Sequence, residues 1–299
     1  MTSPALPPLH RWDSVPQPRA AVHILHGMGE HGGRYARLAG DLNRAGFVVW
    51  AHDHRGHGVN PTPPVGLGHF GDNNGWRVLI DDAWAVSEHM LVTFRGLPLV
   101  LFAHSMGSFL AQSLMAERGT AYRAVVLCGT NGPPGGQEVL VRGLAHAQRL
   151  ALGGRRHGRW LNSVVLSIYN RPFAPNRTKF DWLSRDEHEV DAFAADPLCR
   201  SPLTIQSWLD FLVGKSALGS QAHLRRIPRA LPVHVIAGDR DPVGEELRGV
   251  QRLLRAWQLA GLSKVSHRFY EGARHELLNE TNRDEVTRDL IAWLNDLGR

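Results

Sequence analysis

Apolar positions in the first half of this chain fall into short, near-continuous runs separated by longer stretches with helical spacing. Ala20–Leu25, Phe47–Ala51, Leu97–Phe102 and Ala124–Cys128 read as strands buried on both faces. Between them, Arg34–Ala45 places Leu38 and Leu42 on one helical face, Gly75–Phe94 reads as a long helix and Ser108–Arg118 as a third. Strands joined through helices predict a parallel sheet. The rhythm stops near residue 130, where Gly129–Gln137 is rich in glycine and proline, and residues 131–230 read as mainly helical with loop punctuation. Alternation resumes with Pro232–Ala237 (strand), Glu245–Ala260 (helix), Val265–Tyr270 (strand) and Glu285–Leu297 (helix). The pattern predicts one α/β core, residues 1–130 and 231–299, interrupted by a helical insertion at 131–230. No internal repeat or low-complexity tract is present.

Composition narrows the setting. Hydrophobic residues make up 43% and charged residues 21% of 299, the balance of a globular chain that can bury a large core. No apolar run approaches the ~18 residues that would span a bilayer, so no transmembrane segment is expected. Residues 1–18 are proline-rich and lack a basic-then-apolar leader pattern, which makes the cytoplasm the expected compartment. The net charge of +6 would permit a polyanionic partner. Yet Lys179, Lys215 and Lys264 are the only lysines, and the arginines are spread along the length without interleaved aromatics. No nucleic-acid partner is expected. Cys128 and Cys199 have no C-x-x-C spacing and read as two free thiols.

The chemistry begins at Ala103-His104-Ser105-Met106-Gly107, directly after an apolar strand and before a helix. A serine between small residues at such a junction sits on a tight turn that lifts its hydroxyl out of the sheet. Three further sites each lie just past a strand's carboxyl end, where open α/β sheets bind ligands. In Gly238-Asp239-Arg240-Asp241-Pro242, a carboxylate could accept the Nδ1–H of a histidine. Asp241 is preferred because Pro242 ends the segment, with Asp239 as the alternative. His275 follows a strand and the glycine-containing loop Glu271–Arg274, within reach of a serine oxygen above the sheet. The glycine-rich run His26–Tyr35 follows the first clear strand and can aim the Met28 N–H, with that of Met106, at a developing oxyanion. Glu30 and Arg34 in that run are candidates for shaping the polar end of the site, or for a salt bridge that holds the loop. His52-Asp53-His54-Arg55-Gly56-His57 invites a metal reading, but Gly56 stands where a second metal's aspartate would be needed. We expect histidines packed in a polar loop, and neither metal nor cofactor.

Taken together, these stretches resemble the serine α/β-hydrolases of the monoacylglycerol lipase/lysophospholipase (serine aminopeptidase S33) type. The matching runs are His26–Tyr35, His52–Gly58, Ala103–Gly107, Gly238–Pro242 and His275–Glu280, with Phe180–Asp186 and Ala195–Cys199 inside the insertion. Two positions depart from the pattern: Ala103 replaces the usual glycine, and Asn60 stands where serine often follows. The resemblance implies an α/β-hydrolase fold and the chain order Ser105, Asp241, His275, with the register three residues after Gly238 favouring Asp241. It implies two-step acyl transfer and a cap formed by the insertion, in which Trp160–Tyr169 would line an acyl channel or pack on the core. It points to lipid monoesters, monoacylglycerols or lysophospholipids, as substrates, with transient contact to a lipid surface. A short-chain carboxylesterase or thioesterase on the same triad, or a non-catalytic binding protein of this fold, are the alternatives. Oligomeric state is left open.

Overall fold

The computed structural model describes residues 6–133 and 136–297. Seven strands form one sheet in the order β1-β3-β2-β4-β5-β6-β7. They are β1 (Leu9–Trp12), β2 (Ala20–Leu25), β3 (Phe47–His52), β4 (Leu99–His104), β5 (Ala124–Cys128), β6 (Val233–Gly238) and β7 (Val265–Tyr270). All neighbours run parallel except β1, which pairs antiparallel with β3, Leu9 opposite His52. The five inner strands are buried throughout, as near-continuous apolar runs predict.

Side-chain alternation divides the interior into two layers. Ala21, Leu25, Leu99, Leu101, Val125 and Leu127 face α2 (Gly75–Thr93), α3 (Met106–Arg118) and α9 (Arg248–Leu259). Their neighbours Val22, Ile24, Val100, Phe102 and Val126 face α1 (Ala36–Arg44) and α10 (Arg283–Asp296), which contribute Leu38, Leu42, Val286 and Leu290. This helix–sheet–helix sandwich is the α/β-hydrolase fold.

Between β5 and β6 lie α4 (Gly136–Leu152), α5 (Arg159–Asn170), α6 (Glu187–Ala195), α7 (Ile205–Ala217) and the short α8 (Gln221–Leu224). Helix α7 does not stand apart. Its Trp208, Leu209, Phe211 and Leu212 join the same buried cluster as α2 and α3.

Several boundaries differ from expectation. Strand β1 was not anticipated; its four residues LHRW are only partly buried, so they carry no apolar run. The fourth strand begins at Leu99 rather than Leu97 and runs on to His104, delivering the serine directly from the sheet. The expected helix Arg34–Ala45 opens with a 3-10 turn at Gly32–Tyr35. The helix expected from Glu245 starts only at Arg248, because Glu245, Glu246 and Leu247 all take positive φ values of 52–72° and turn the chain into it.

Candidate active site

Ser105 occupies the corner between β4 and α3 with φ 50° and ψ −120°. That conformation is costly for a non-glycine residue and persists only where its surroundings fix it. Here the Ser105 N–H donates to the Cys128 carbonyl at 3.0 Å. The Ser108 hydroxyl lies 2.6 Å from the Ser105 carbonyl and 2.8 Å from Thr130 Oγ1. Gly107 is glycine for a steric reason: a Cβ there would lie 2.4 Å from the Leu25 carbonyl oxygen and 2.6 Å from that of His26. Ala103, the departure noted above, is fully buried in β4 between Leu25 of β2 and Leu127 of β5, so its methyl has a place in the core.

The other two residues converge on this hydroxyl. His275 Nε2 is 2.9 Å from Ser105 Oγ, and its Nδ1 is 3.0 Å from both carboxylate oxygens of Asp241. Asp241 is fully buried, and its Oδ1 also accepts the Val243 N–H at 2.8 Å. Asp239 does something else: its Oδ1 accepts the Gly272 N–H at 2.8 Å, tying down the turn before His275. Burial opposes charge on His275, but the Asp241 charge and hydrogen bond outweigh it and raise the imidazole's pKa above 6.5. The His104 ring lies 4.7 Å from that of His275 by centroid. Burial, and then His275 itself, lower the His104 pKa to about 4, which keeps it neutral.

Met28 and Met106 flank the serine, Met106 as the first residue of α3 and Met28 in the turn after β2. Both line the cavity described below. Neither amide donates to an acceptor among the described residues, which leaves both N–H groups available to a ligand. Glu30 lines the same cavity, whereas Arg34 lies behind it and contacts Glu30 and Glu276.

Over Ser105 lies a cavity of about 420 Å³. Its wall is largely apolar, with Val165, Leu166, Trp182, Phe193, Trp208 and Phe211 among its members. The run Trp160–Tyr169 divides between its two expected uses. Val165, Leu166, Ile168 and Tyr169 face the cavity, while Leu161 is fully buried in the main core and Trp160 is 53% exposed.

Segments between β5 and β6 also bond to the loops after β2 and β7. The Arg200 N–H donates to the Gly29 carbonyl at 2.7 Å, and the Glu276 N–H to the Leu183 carbonyl at 2.7 Å. The Trp182 ring sits 5.0 Å from the His275 ring. Sequence reading did not assign roles to Trp182, His104 or Glu276. The signal for Trp182 was its place in Phe180–Asp186, a run with no intrinsic chemistry to mark it.

The histidines weighed above as a metal site stitch β2 to β3. His23 bridges Ser87 Oγ (2.8 Å) and His52 Nδ1 (3.0 Å), while the His54 N–H donates to His26 Nε2 at 2.9 Å. Burial lowers His23 to about 3 and His57 to about 4, and pushes His26, His52 and His54 well below 6.5. Among the described residues, metal-ligand types converge instead at His10/His31/Asp53 and His31/Asp196/Cys199. Hydrogen bonds already occupy these groups: His10 to Asp53 and His31 to Asp196, each at 2.9 Å.

Comparison with known proteins agrees with this geometry. The chain is 29% identical to human monoglyceride lipase over 286 residues, 95% of this chain and 84% of that one. It is 28% identical to a monoacylglycerol lipase of Mycolicibacterium smegmatis, covering 95% and 90%. A highly thermostable carboxyl esterase from Bacillus coagulans, crystallised with glycerol, superposes with a TM-score of 0.88 at 28% identity, covering 97% of this chain and 93% of that one. The family profile described as serine aminopeptidase, S33, matches residues 16–282. With nearly the whole core and insertion inside that match, the chain belongs to the serine aminopeptidase S33 family.

Proposed function

We propose that this protein is a serine hydrolase that cleaves the carboxylic esters of lipid-like substrates, monoacylglycerols or lysophospholipids, through an acyl-enzyme. The single observation that carries the reading is the unbroken Ser105–His275–Asp241 relay beneath a largely apolar cavity. Ser105 Oγ attacks the ester carbonyl as His275 Nε2 takes its proton. Asp241 holds the Nδ1–H and stabilises the imidazolium. The Met28 and Met106 amides receive the oxyanion of the tetrahedral intermediate. His275 then gives the proton to the leaving alkoxide, and water activated by the same imidazole releases the acid.

A cavity of about 420 Å³ falls in the range that encloses most of a small ligand's surface, which supports a substrate with a substantial acyl chain. Residues 131–230 act in this reading as a cap, because most of the apolar wall comes from them. Leu150, Leu152 and Trp160, exposed at 91%, 50% and 53% on α4 and at the start of α5, support transient contact with a lipid surface. No helix among the described residues is long and apolar enough to cross a membrane. Two buried free thiols, Cys128 and Cys199, support a reducing compartment such as the cytoplasm.

The test is turnover of p-nitrophenyl esters and monoacylglycerols across acyl length, beside labelling with a fluorophosphonate. Long-chain monoacylglycerol cleavage and an adduct on Ser105 are expected. A preference for the shortest acyl groups with no monoacylglycerol cleavage makes it a short-chain carboxylesterase. Folded protein that forms no adduct is a binding protein instead.

A further inference from the structure

Glu30 and Glu276 belong to the two loops whose spacing sets the site: Glu30 to the turn carrying the Met28 amide, Glu276 to the loop carrying His275. Both are buried, at 3% and 6% exposure, and one guanidinium holds both. Arg34 Nη1 donates to Glu30 Oε2 at 2.7 Å, and Nη1 and Nη2 grip the two Glu276 oxygens at 2.7 Å each. The free oxygen of Glu30, Oε1, accepts the Gly27 N–H at 2.5 Å and the Tyr35 hydroxyl at 2.9 Å. Glu276 Oε2 also accepts the Asn279 side-chain amide at 2.7 Å. The Arg34 guanidinium stacks 4.9 Å from the Phe193 ring of α6, so the insertion covers the cluster.

Space around Gly27 leaves this arrangement little freedom. A Cβ on Gly27 would meet Glu30 Oε1 at 2.8 Å, Ser105 Cβ at 3.1 Å and His104 Cδ2 at 3.2 Å. The hydrogen-bonded path therefore runs from the backbone beside the nucleophile, through three charged side chains, to the residue that follows His275. Stability alone is a weak reason for such a cluster, since buried ion pairs can often be replaced by apolar groups of similar volume at no loss. Fixed geometry at the reacting centre is what an ion cluster supplies and an apolar contact does not.

We propose that Arg34, acting through Glu30 and Glu276, is the positioning residue that sets the oxyanion loop against the histidine loop. Glu30 fixes the His26–Gly27 peptide, one unit before the peptide whose Met28 amide faces the oxyanion, and Glu276 fixes the segment that carries His275. The inference rests on the ester-hydrolase reading above and assigns Glu30 and Arg34 to the loops rather than to the substrate.

The cluster also bears on proton transfer. Two carboxylates against one guanidinium leave a net negative charge beside the imidazole. The groups facing His275 are Asp241 from the loop after β6, Glu276 from its own loop, Glu30 from the loop after β2, neutral His104 and Ser105 from β4 and its turn, and the uncharged Trp182 ring from the insertion. The acidic groups all favour the imidazolium. Removing one of the outer charges therefore lowers the pH at which His275 becomes a base.

Glu30→Ala, Arg34→Met and Glu276→Gln in the 299-residue chain test this, each compared with wild type on the best p-nitrophenyl ester, with thermal melting as a folding check. Glu30→Ala is expected to lower kcat about tenfold or more with KM changed less than about threefold, because one oxyanion donor is worth roughly a hundredfold or more when fully lost. Arg34→Met, which keeps length but not the charge that bridges the two carboxylates, should lose kcat to a similar extent. Glu276→Gln should move the acid limb of kcat/KM to lower pH. A folded Glu30→Ala or Arg34→Met with kcat within about twofold of wild type overturns the proposal. If neither folds, a Glu276→Gln whose kcat and acid limb both match wild type overturns it. Wild-type protein that hydrolyses no ester refutes the hydrolase reading itself, a separate outcome.

Discussion

Lowering the pH from about 7 to about 5 should remove a large share of this protein's stability, because its core holds neutral histidines. His23, His57 and His104 are buried, with pKa values near 3, 4 and 4 in the folded chain against an ordinary value of 6.5. A histidine whose folded pKa is depressed adds stability above its unfolded pKa and loses it as pH falls toward the folded value. One pKa unit corresponds to about 1.4 kcal/mol, so by about pH 5 each of the three loses roughly 2 kcal/mol relative to pH 7. Together they account for about 6 kcal/mol, comparable with the whole stability of many domains. His26, His52 and His54 shift the same way and add to the loss. His275 works in the opposite sense: its raised pKa gives stability that is fully present below 6.5, and it offsets part of the fall. Carboxylates held low by ion pairs act mainly below about pH 4.5 and leave this window to the histidines. Urea unfolding at the two pH values measures the difference. A melting temperature lower by roughly 8 °C is the corresponding thermal shift for a chain of this size. Stability at about pH 5 within about 1 kcal/mol of that at pH 7 would refute the assignment of these rings as buried and neutral.

Three further outcomes follow from the site. Asp241→Asn should lower kcat by several orders of magnitude by spoiling the His275 tautomer, while Asp239→Asn, which keeps an acceptor for Gly272, should stay within about tenfold of wild type; equal losses would contradict the assignment of Asp241. Gly107→Ala should destabilise by about 3 kcal/mol or more, because its Cβ would overlap the carbonyl oxygens of Leu25 and His26; denaturant unfolding or soluble yield reads the loss. Leu166→Trp should fill part of the cavity and shift acyl preference toward shorter chains, seen as a changed ratio of kcat/KM between long and short esters with the short-chain rate kept.

The chain announced much of this through local requirements. Inner strands buried on both faces must be apolar throughout, so Ala20–Leu25 and Ala124–Cys128 were legible, and the elbow at Ser105 was legible because the positions two residues to either side, Ala103 and Gly107, must be small. Strand β1 was not, since an edge strand with only partly buried side chains carries no such run. The early start assigned to α9 failed for a related reason: three consecutive positive-φ residues before Arg248 leave no mark in hydrophobic spacing.

What the sequence determined by itself is therefore the alternation of strands and helices, the elbow that presents Ser105, and the strand-end turns that carry Asp241 and His275. Each of these elements is specified by residues within a few positions of one another, although the elements themselves lie far apart along the chain. The tertiary structure alone decided which of two nearby aspartates meets His275, that Arg34 spans 242 residues of chain to reach Glu276, and that Trp182 and Leu183 brace the histidine loop. Those contacts join segments far apart in sequence, and their distances exist only once the insertion and both loops have docked on the sheet's carboxyl edge.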